Sequence, residues 1–179
     1  MSPDPTKEKS SISEDKLLGE PLAAEVTRFC IHKRVIIGND AKCLKFGDSK
    51  NPQSTHHFRL FLRAPPANIA GQKDTLSRWI RMVRFHLHPS FPEPVLDVKQ
   101  EPFEVSLETF GEFPVRCQLF FWDAKRNPPF DIIHHVKVFH AIAPGRSVAG
   151  PERMYEVELD RKTDFTLSHL GSCNADADG

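Results

Sequence analysis

The residues whose types and spacing could do chemistry lie in two short clusters, His88–Phe91 (HPSF) and Thr109–Phe113 (TFGEF). Each cluster joins aromatic rings to small or polar groups at positions that resemble strand ends. Neither cluster holds a nucleophile, a base and an orienting carboxylate together. If the two clusters meet in space, the sequence therefore predicts a site that binds a ligand without transforming it.

The chemistry that these clusters favour is recognition of a flat, neutral, polarised group such as an amide. Phe91 and Phe110 can present two parallel ring faces, while His88 and Ser90 supply hydrogen-bonding side chains. The backbone N–H around Phe110 and Gly111 adds a donor that no side chain crowds. A second interpretation of the same pattern is that these phenylalanines belong to the core of the domain.

Hydrolytic and metal chemistry are weaker interpretations. The chain has no G-x-S-x-G motif, and the spacing of Ser90 from His88 does not by itself make a catalytic pair. His86 and His88 would share one face of a strand, and His56 and His57 could add imidazoles, but no carboxylate or cysteine stands beside them at ligand spacing. We expect no metal, no cofactor and no catalytic residues.

Length and composition indicate one ordinary globular core. The chain has 179 residues, and its 24 basic and 24 acidic residues cancel, so no overall basic field favours nucleic acid. The four cysteines form no CxxC pair, which favours free thiols in a reducing compartment. No apolar run approaches the roughly 18 to 20 residues that span a bilayer, and the N-terminus lacks the apolar core of a signal peptide. These features predict a cytosolic or nuclear protein without membrane segments.

The elements that would position the two clusters are short strands. Apolar and polar residues alternate in roughly seven segments separated by turn residues, which predicts an all-β, antiparallel sandwich with short helical turns. In residues 75–87 we expect a helical turn followed by a strand from about Ile80. The other predicted strands are 26–37, a brief one at 43–46, 57–63, short extended pieces at 98–100 and 103–107, 113–121 and 132–141, with turns or linkers at 38–40 and 143–151. Residues 154–159 are predicted to form a last strand or a short helix.

The predicted domain organisation is one sandwich between two tails. Residues 1–24 are rich in Ser, Pro, Lys and Glu, so we expect a disordered N-terminal tail. The sandwich domain covers 25–169, and 170–179 is small and polar, which predicts a second disordered tail.

The chain resembles the YEATS domain, the histone acyl-lysine reader module, through a set of short motifs. The most specific are LHPSF and FGEF at their observed separation. The likeness is greatest to the branch found in histone acetyltransferase and chromatin-remodelling complexes. The segments that carry the resemblance are VIIGN (35–39), HHFRLFLRAP (56–65), VRFHLHPSFPEP (83–94), EPFEV (101–105), TFGEFPV (109–115) and HHVKVF (134–139).

The resemblance implies an immunoglobulin-like sandwich whose loops at one end hold an acylated lysine between Phe91 and Phe110. It also implies that Ser90 bonds the acyl amide and that the Phe110 N–H completes its recognition. Thr109 stands where the family pattern has glycine, and Phe110 where it has Trp or Tyr. The acyl-lysine-binding set implied is His88, Ser90, Phe91, Thr109, Phe110, Gly111 and Phe113, with His56, His57 and Glu112 as candidate rim residues.

The function implied is a nuclear chromatin reader of acetyl- or crotonyl-lysine on histone tails, H3 above all. Its partners would be the acylated histone peptide and subunits of a chromatin-modifying complex, without specific DNA binding. Two alternatives stay open at this point. Thr109 could have closed the slot and left only a structural subunit, or the four histidines at 56, 57, 86 and 88 could bind a metal for hydrolysis.

Overall fold

The computed structural model of the chain describes residues 29–66, 75–140 and 143–170. Within these ranges the chain is almost entirely β-structure. One 3₁₀ turn, Leu76–Arg78, precedes the third strand, and a short helix, α1 (Leu167–Leu170), follows the last. The strands are β1 (Cys30–Cys43), β2 (His56–Arg63), β3 (Ile80–His86), β4 (Val95–Val98), β5 (Phe103–Thr109), β6 (Phe113–Phe121), β7 (Phe130–Val136) and β8 (Ser147–Asp160).

The eight strands form two four-stranded antiparallel sheets, which we call sheet A and sheet B. Sheet A has the order β5-β2-β1-β8, and sheet B has the order β4-β3-β6-β7. The two sheets pack face to face as an immunoglobulin-like sandwich, which confirms the predicted fold class. The helical turn followed by a strand from Ile80 is also confirmed.

The core lies between the sheets because the strands alternate buried and exposed side chains. Along β6, every second residue from Phe113 to Phe121 is buried, while Pro114 and Arg116 between them are exposed. On β2, Phe58, Leu60 and Leu62 turn inwards in the same way. The sequence period of two therefore dictates which face of each sheet forms the core.

The strand register defines two ends of the sandwich. At the loop end, His56 pairs with Cys43 and Thr109, and Phe113 pairs with Val136. The loops at 44–55, 87–94, 110–112 and 137–140 emerge there. At the opposite end, which we call the knot end, the 3₁₀ turn and the loops at 122–129 and 161–166 meet.

Three strand boundaries differ from prediction. β1 runs straight through 38–40, where a turn was predicted, because Gly38 lies under the Phe61 ring and Asn39 occupies a bulge against β8. β8 begins at Ser147, inside the predicted 143–151 linker, because it pairs with the extra length of β1. β7 ends at Val136, and Phe139 beyond it has a left-handed φ of 53° that does not fit a strand.

Smaller differences fall in loops. The brief strand predicted at 43–46 is only the last residue of β1 followed by a turn, and β4 lies at Val95–Val98, slightly before the extended piece predicted at 98–100. Cys30, Cys43 and Cys117 are free thiols, and Cys173 lies outside the described residues. The predicted tails, 1–24 and 170–179, lie outside them as well, apart from Leu170. Within the described ranges, no helix has the length and apolar character needed to span a membrane.

Candidate functional site

A cavity of about 230 Å³ opens at the loop end of the sandwich. It joins the two clusters predicted from sequence, because the loop after β3 faces the loop between β5 and β6 across it. Its lining includes all seven residues predicted to bind and one of the three predicted rim residues. The lining residues are His88, Ser90, Phe91, Thr109, Phe110, Gly111, Glu112 and Phe113.

The first wall is a tight loop between β3 and β4 that brings His88 and Ser90 together. The Leu87 N–H donates to the Pro94 carbonyl at 2.7 Å, and the Phe91 N–H donates to the His88 carbonyl at 3.1 Å. Within this turn, His88 Nδ1 lies 2.8 Å from Ser90 Oγ and accepts the Ser90 N–H at 3.2 Å. An Nδ1 that accepts a backbone N–H carries no proton, so this geometry assigns the neutral Nε2–H tautomer to His88.

The tautomer fixes the role of the Ser90 hydroxyl. Because Nδ1 of His88 is an acceptor, the Ser90 O–H donates its proton to it. The lone pairs of Ser90 Oγ are then available to a ligand, and the side chain is exposed to receive one. The first wall therefore offers a hydrogen-bond acceptor to the cavity.

The floor of the cavity is a cluster of three rings that belongs partly to the core. Phe91 and Phe113 have ring centroids 5.2 Å apart, and fully buried Phe58 packs edge-on against both, at 6.3 and 5.5 Å. Phe110 differs because its side chain is 62% exposed. Among the ring pairs formed by the described residues, Phe110 takes part in none. The core interpretation of these phenylalanines thus fits Phe113 and part of Phe91, but not Phe110.

The second wall is the turn between β5 and β6, and the side chain of Thr109 organises it. Thr109 is 4% exposed, and its Oγ1 donates to the Gly111 carbonyl at 2.9 Å and accepts the Gly111 N–H at 3.2 Å. The Thr109 side chain is thus bonded within its own turn, and the cavity beside it remains open. The Phe110 N–H has no partner within the described part of the chain, so this wall offers a donor.

Glu112 anchors the far side of the same turn. Its carboxylate accepts from Lys137 Nζ at 2.6 Å and from the Val138 N–H at 3.3 Å. The Lys137 hydrogen bond, more than any other contact, holds the pKa of Glu112 below its usual range. Since this carboxylate is committed to Lys137, Glu112 fixes the loop more than it offers a free charge to the cavity.

A buried polar group that sequence reasoning missed ties this region to the other sheet. Asn39 is fully buried and brackets Lys137, donating to its carbonyl at 2.8 Å and accepting its N–H at 3.2 Å. Asn39 Oδ1 also accepts from His134 Nε2 at 3.0 Å. Burial, followed by the charges of Arg153 and His135, lowers the pKa of His134 to about 4. The available signal was the VIIGN motif, where Asn39 follows a strongly apolar run.

The predicted rim residues His56 and His57 do not line the cavity. His56 is 3% exposed, its Nδ1 lies 2.8 Å from Thr55 Oγ1, and its ring meets His140 edge-on at 5.4 Å. Burial and the neighbouring His140 lower the pKa of His56. His57 pairs with Glu108 in the β2–β5 ladder.

Two histidines of the metal hypothesis have other polar neighbours. His88 is engaged with Ser90, and Arg116 Nη2 approaches His86 Nε2 at 3.0 Å. Nowhere in the described ranges do three or more His, Cys, Asp or Glu side chains come together as a metal site.

Comparisons with known proteins agree with this architecture. Residues 53–140 match the YEATS family. The chain is 28% identical over 128 residues to the protein AF-9 homolog of Kluyveromyces lactis, an alignment that covers 69% of this chain and 54% of that protein. It spans about half the length of the curated relatives it matches.

Solved structures show the same fold. The crystal structure of the yeast AF-9 homolog protein Yaf9 superposes with a TM-score of 0.63 at 23% identity, covering 79% of this chain and 87% of Yaf9. The Yaf9 YEATS domain bound to H3K27ac gives a TM-score of 0.61 at 23% identity, covering 83% of this chain and 99% of that one. At these identities the similarity establishes the fold.

The fold and the open cavity define a β-sandwich binding module whose site lies in the loops at one end. The matching segment and the relatives above show that this sandwich is similar to the YEATS family over nearly half of the chain.

Proposed function

We propose that this chain reads acylated lysine on histone tails, with histone H3 as the partner. The observation that carries the proposal is the pairing of one acceptor and one donor across an aromatic cavity. Ser90 Oγ is the acceptor and the unpartnered Phe110 N–H is the donor, and both belong to the lining of the same cavity.

An acylated lysine matches this pairing because its amide has one N–H and one carbonyl. The amide N–H donates to Ser90 Oγ, whose own proton is committed to His88. The acyl carbonyl accepts from the Phe110 N–H. Unmodified lysine would instead bring three donors and a positive charge, for which the Ser90 wall offers a single acceptor.

The aromatic rings suit the acyl group itself. Phe91 is held in place by Phe58 and Phe113, and the exposed Phe110 ring would cover the opposite face of a flat group such as acetyl or crotonyl. The cavity volume of about 230 Å³ is smaller than the roughly 300 to 1,000 Å³ of sites for drug-sized ligands, which fits a single side chain. The chemistry of the lining is therefore that of a binding slot without catalysis.

The affinity of one such site should be modest. Each ring stack and each neutral hydrogen bond contributes about 1 kcal/mol. We infer that the protein acts in the nucleus as a subunit of a chromatin-modifying complex, where several weak contacts combine into useful avidity. The proposal is supported by the structure of Yaf9, a protein of the same fold that was solved with H3K27ac.

The test is a titration of the chain with three H3 peptides of one sequence, carrying acetyl-lysine, crotonyl-lysine or unmodified lysine. We expect both acylated peptides to bind at least about tenfold more tightly than the unmodified one, since about 1.4 kcal/mol separates each factor of ten. Phe110→Ala should lose most of this difference. The matched control is Phe29→Ala, because Phe29 is also exposed, at 70%, but precedes β1 at the knot end.

Equal affinities for the three peptides, or loss of binding in the Phe29 variant to the same extent as in the Phe110 variant, would contradict the proposal. Equal affinities would instead favour a structural subunit whose slot takes no ligand.

A further inference from the structure

The Phe110 side chain is not held in place by another aromatic ring of the described residues. It is 62% exposed and makes no ring contact within the described ranges, although it would form one whole face of the slot. Its position must therefore come from the backbone of the turn that carries it. That backbone is fixed mainly at Gly111, whose N–H and carbonyl are both bonded to the Thr109 hydroxyl.

We propose that Thr109 is the positioning residue of this slot, acting through its hydroxyl. This inference rests on the proposed function. By accepting the Gly111 N–H, Thr109 Oγ1 removes that group as a donor to a ligand, while the neighbouring Phe110 N–H stays available. By donating to the Gly111 carbonyl, it closes the turn on its other side and orients Phe110 towards the cavity.

Three further contacts support a rigid turn centred on Thr109. The Thr109 carbonyl accepts the Thr55 N–H at 3.0 Å, so the residue is fixed to the neighbouring loop as well. On the far side, Glu112 is held by Lys137 and Val138. Phe110 and Gly111 lie between these fixed points. Gly111 is held by the Thr109 hydroxyl, and the Phe110 carbonyl has one long contact, at 3.5 Å, from Thr55 Oγ1.

The hydroxyl can be tested separately from the shape of the side chain. Thr109→Val keeps the buried volume and removes both bonds to Gly111, whereas Thr109→Ser keeps a hydroxyl at the same position. Gly111 is only half-buried, so water can satisfy its N–H and carbonyl when the hydroxyl is lost. We therefore expect Thr109→Val to remain folded.

Two measurements are made on the full chain. In the free protein, the exchange rate of the Gly111 amide should rise severalfold in Thr109→Val and stay near wild type in Thr109→Ser. In titrations with the crotonylated H3 peptide, Thr109→Val should bind about fivefold more weakly, the equivalent of one neutral hydrogen bond. Thr109→Ser should bind within about twofold of wild type.

The matched control is Thr163→Val at the knot end. The Thr163 hydroxyl also makes two bonds, donating to the Asp160 carbonyl at 2.6 Å and accepting from Asn127 Nδ2 at 3.0 Å. Its removal should lower the melting temperature but change neither peptide affinity nor Gly111 exchange. A role of Thr109 that is merely structural would give the same pattern as this control.

The amide measurement separates failure of this inference from failure of the proposed function. If wild type does not bind the peptide but Gly111 exchange still depends on the hydroxyl, the slot proposal fails and the positional role of Thr109 in the turn stands. If wild type binds and Thr109→Val shows unchanged affinity, the inference is overturned. Unchanged Gly111 exchange in Thr109→Val overturns it as well.

Discussion

At the knot end of the sandwich, polar side chains are buried and bonded to one another, whereas at the loop end the polar side chains of the first wall, His88 and Ser90, are exposed to solvent. The difference is clearest between Asn127 and Ser90. Asn127 is 3% exposed, donates to the Asp123 carbonyl and to Thr163, and accepts the Asp160 N–H at 2.8 Å. Ser90 is exposed and bonds only to its neighbour His88 among the described residues.

Asp123 is a second buried polar residue at the knot end. Although burial alone would raise its pKa, the Asp164 N–H at 3.0 Å and the Arg126 guanidinium at 2.9 Å together hold that pKa below its usual range. The bond from Asp164 joins the β6–β7 loop of sheet B to the segment after β8 of sheet A. A buried polar cluster whose hydrogen bonds are all made stabilises the fold. Polar groups with unused hydrogen-bonding capacity beside an exposed ring, as at the loop end, are available to a ligand.

The largest effect on stability is expected at the knot end, from Asn127→Ala. The substitution removes three side-chain hydrogen bonds, two donated to the Asp123 carbonyl and the Thr163 hydroxyl and one accepted from the Asp160 N–H, so the free energy of unfolding should fall by about 3 kcal/mol. Urea unfolding measures this change, and titration with the acylated H3 peptide should give an affinity within about twofold of wild type. A large loss of affinity would mean that the two ends are coupled.

A second test concerns the contacts of Asn39 with His134 and Lys137, which tie the two sheets together. It uses the pH dependence of the free energy of unfolding. The pKa of His134 is about 4 in the folded chain against an ordinary value of 6.5, so the unfolded chain takes up a proton first as the pH falls. The contribution of His134 to stability is complete above pH 6.5 and is lost progressively down to about pH 4. The total loss is about 3 kcal/mol.

Unfolding in urea between pH 7 and 4.5 measures this dependence, with His134→Gln as the control that cannot titrate. The lowered pKa of His56 acts in the same direction, so the slope of the wild type minus that of the variant isolates His134. Identical slopes would show that His134 is not held neutral by its burial against Asn39.

The sequence predicted the residues that line the cavity better than the buried hydrogen bonds that hold those residues in place. Alternation along β6 predicted that strand from Phe113 to Phe121 with its correct buried face. The positions of Ser90, Phe91 and Phe110 in turns beside strands followed from Pro and Gly punctuation and from the family resemblance. Asn39 was misassigned to a turn because its intrinsic preference is for turns, and its partner His134 lies 95 residues further along the chain. The bonds from Thr109 to Gly111 likewise depend on side-chain orientation, which periodicity does not report.

At the loop end, Ser90→Ala should change affinity without changing stability. Ser90 is exposed, so the free energy of unfolding should stay within about 0.5 kcal/mol of wild type. Loss of the acceptor for the acyl amide should weaken binding of the acetylated H3 peptide about fivefold. Ser106→Ala is the matched control, because Ser106 is an exposed serine of β5 outside the cavity lining. Equal affinities for the two variants would show that Ser90 does not contribute to binding of the acylated peptide.

The smallest effect on stability is expected from Gly111→Ala. Comparing this variant with Gly150→Ala tests whether the turn at the slot is loosely packed. A Cβ added at Gly111 would meet no atom within 4 Å, whereas one added at Gly150 would lie 2.5 Å from the Asn39 carbonyl oxygen. Gly111→Ala should therefore change the free energy of unfolding by less than about 0.5 kcal/mol. Gly150→Ala should be strongly destabilising, because the backbone of the tie between the sheets would have to shift. If Gly111→Ala lowered the melting temperature as much as Gly150→Ala, the turn at the slot would be as closely packed as the paired strands β1 and β8, and the contrast between an open slot and a packed sandwich would not hold.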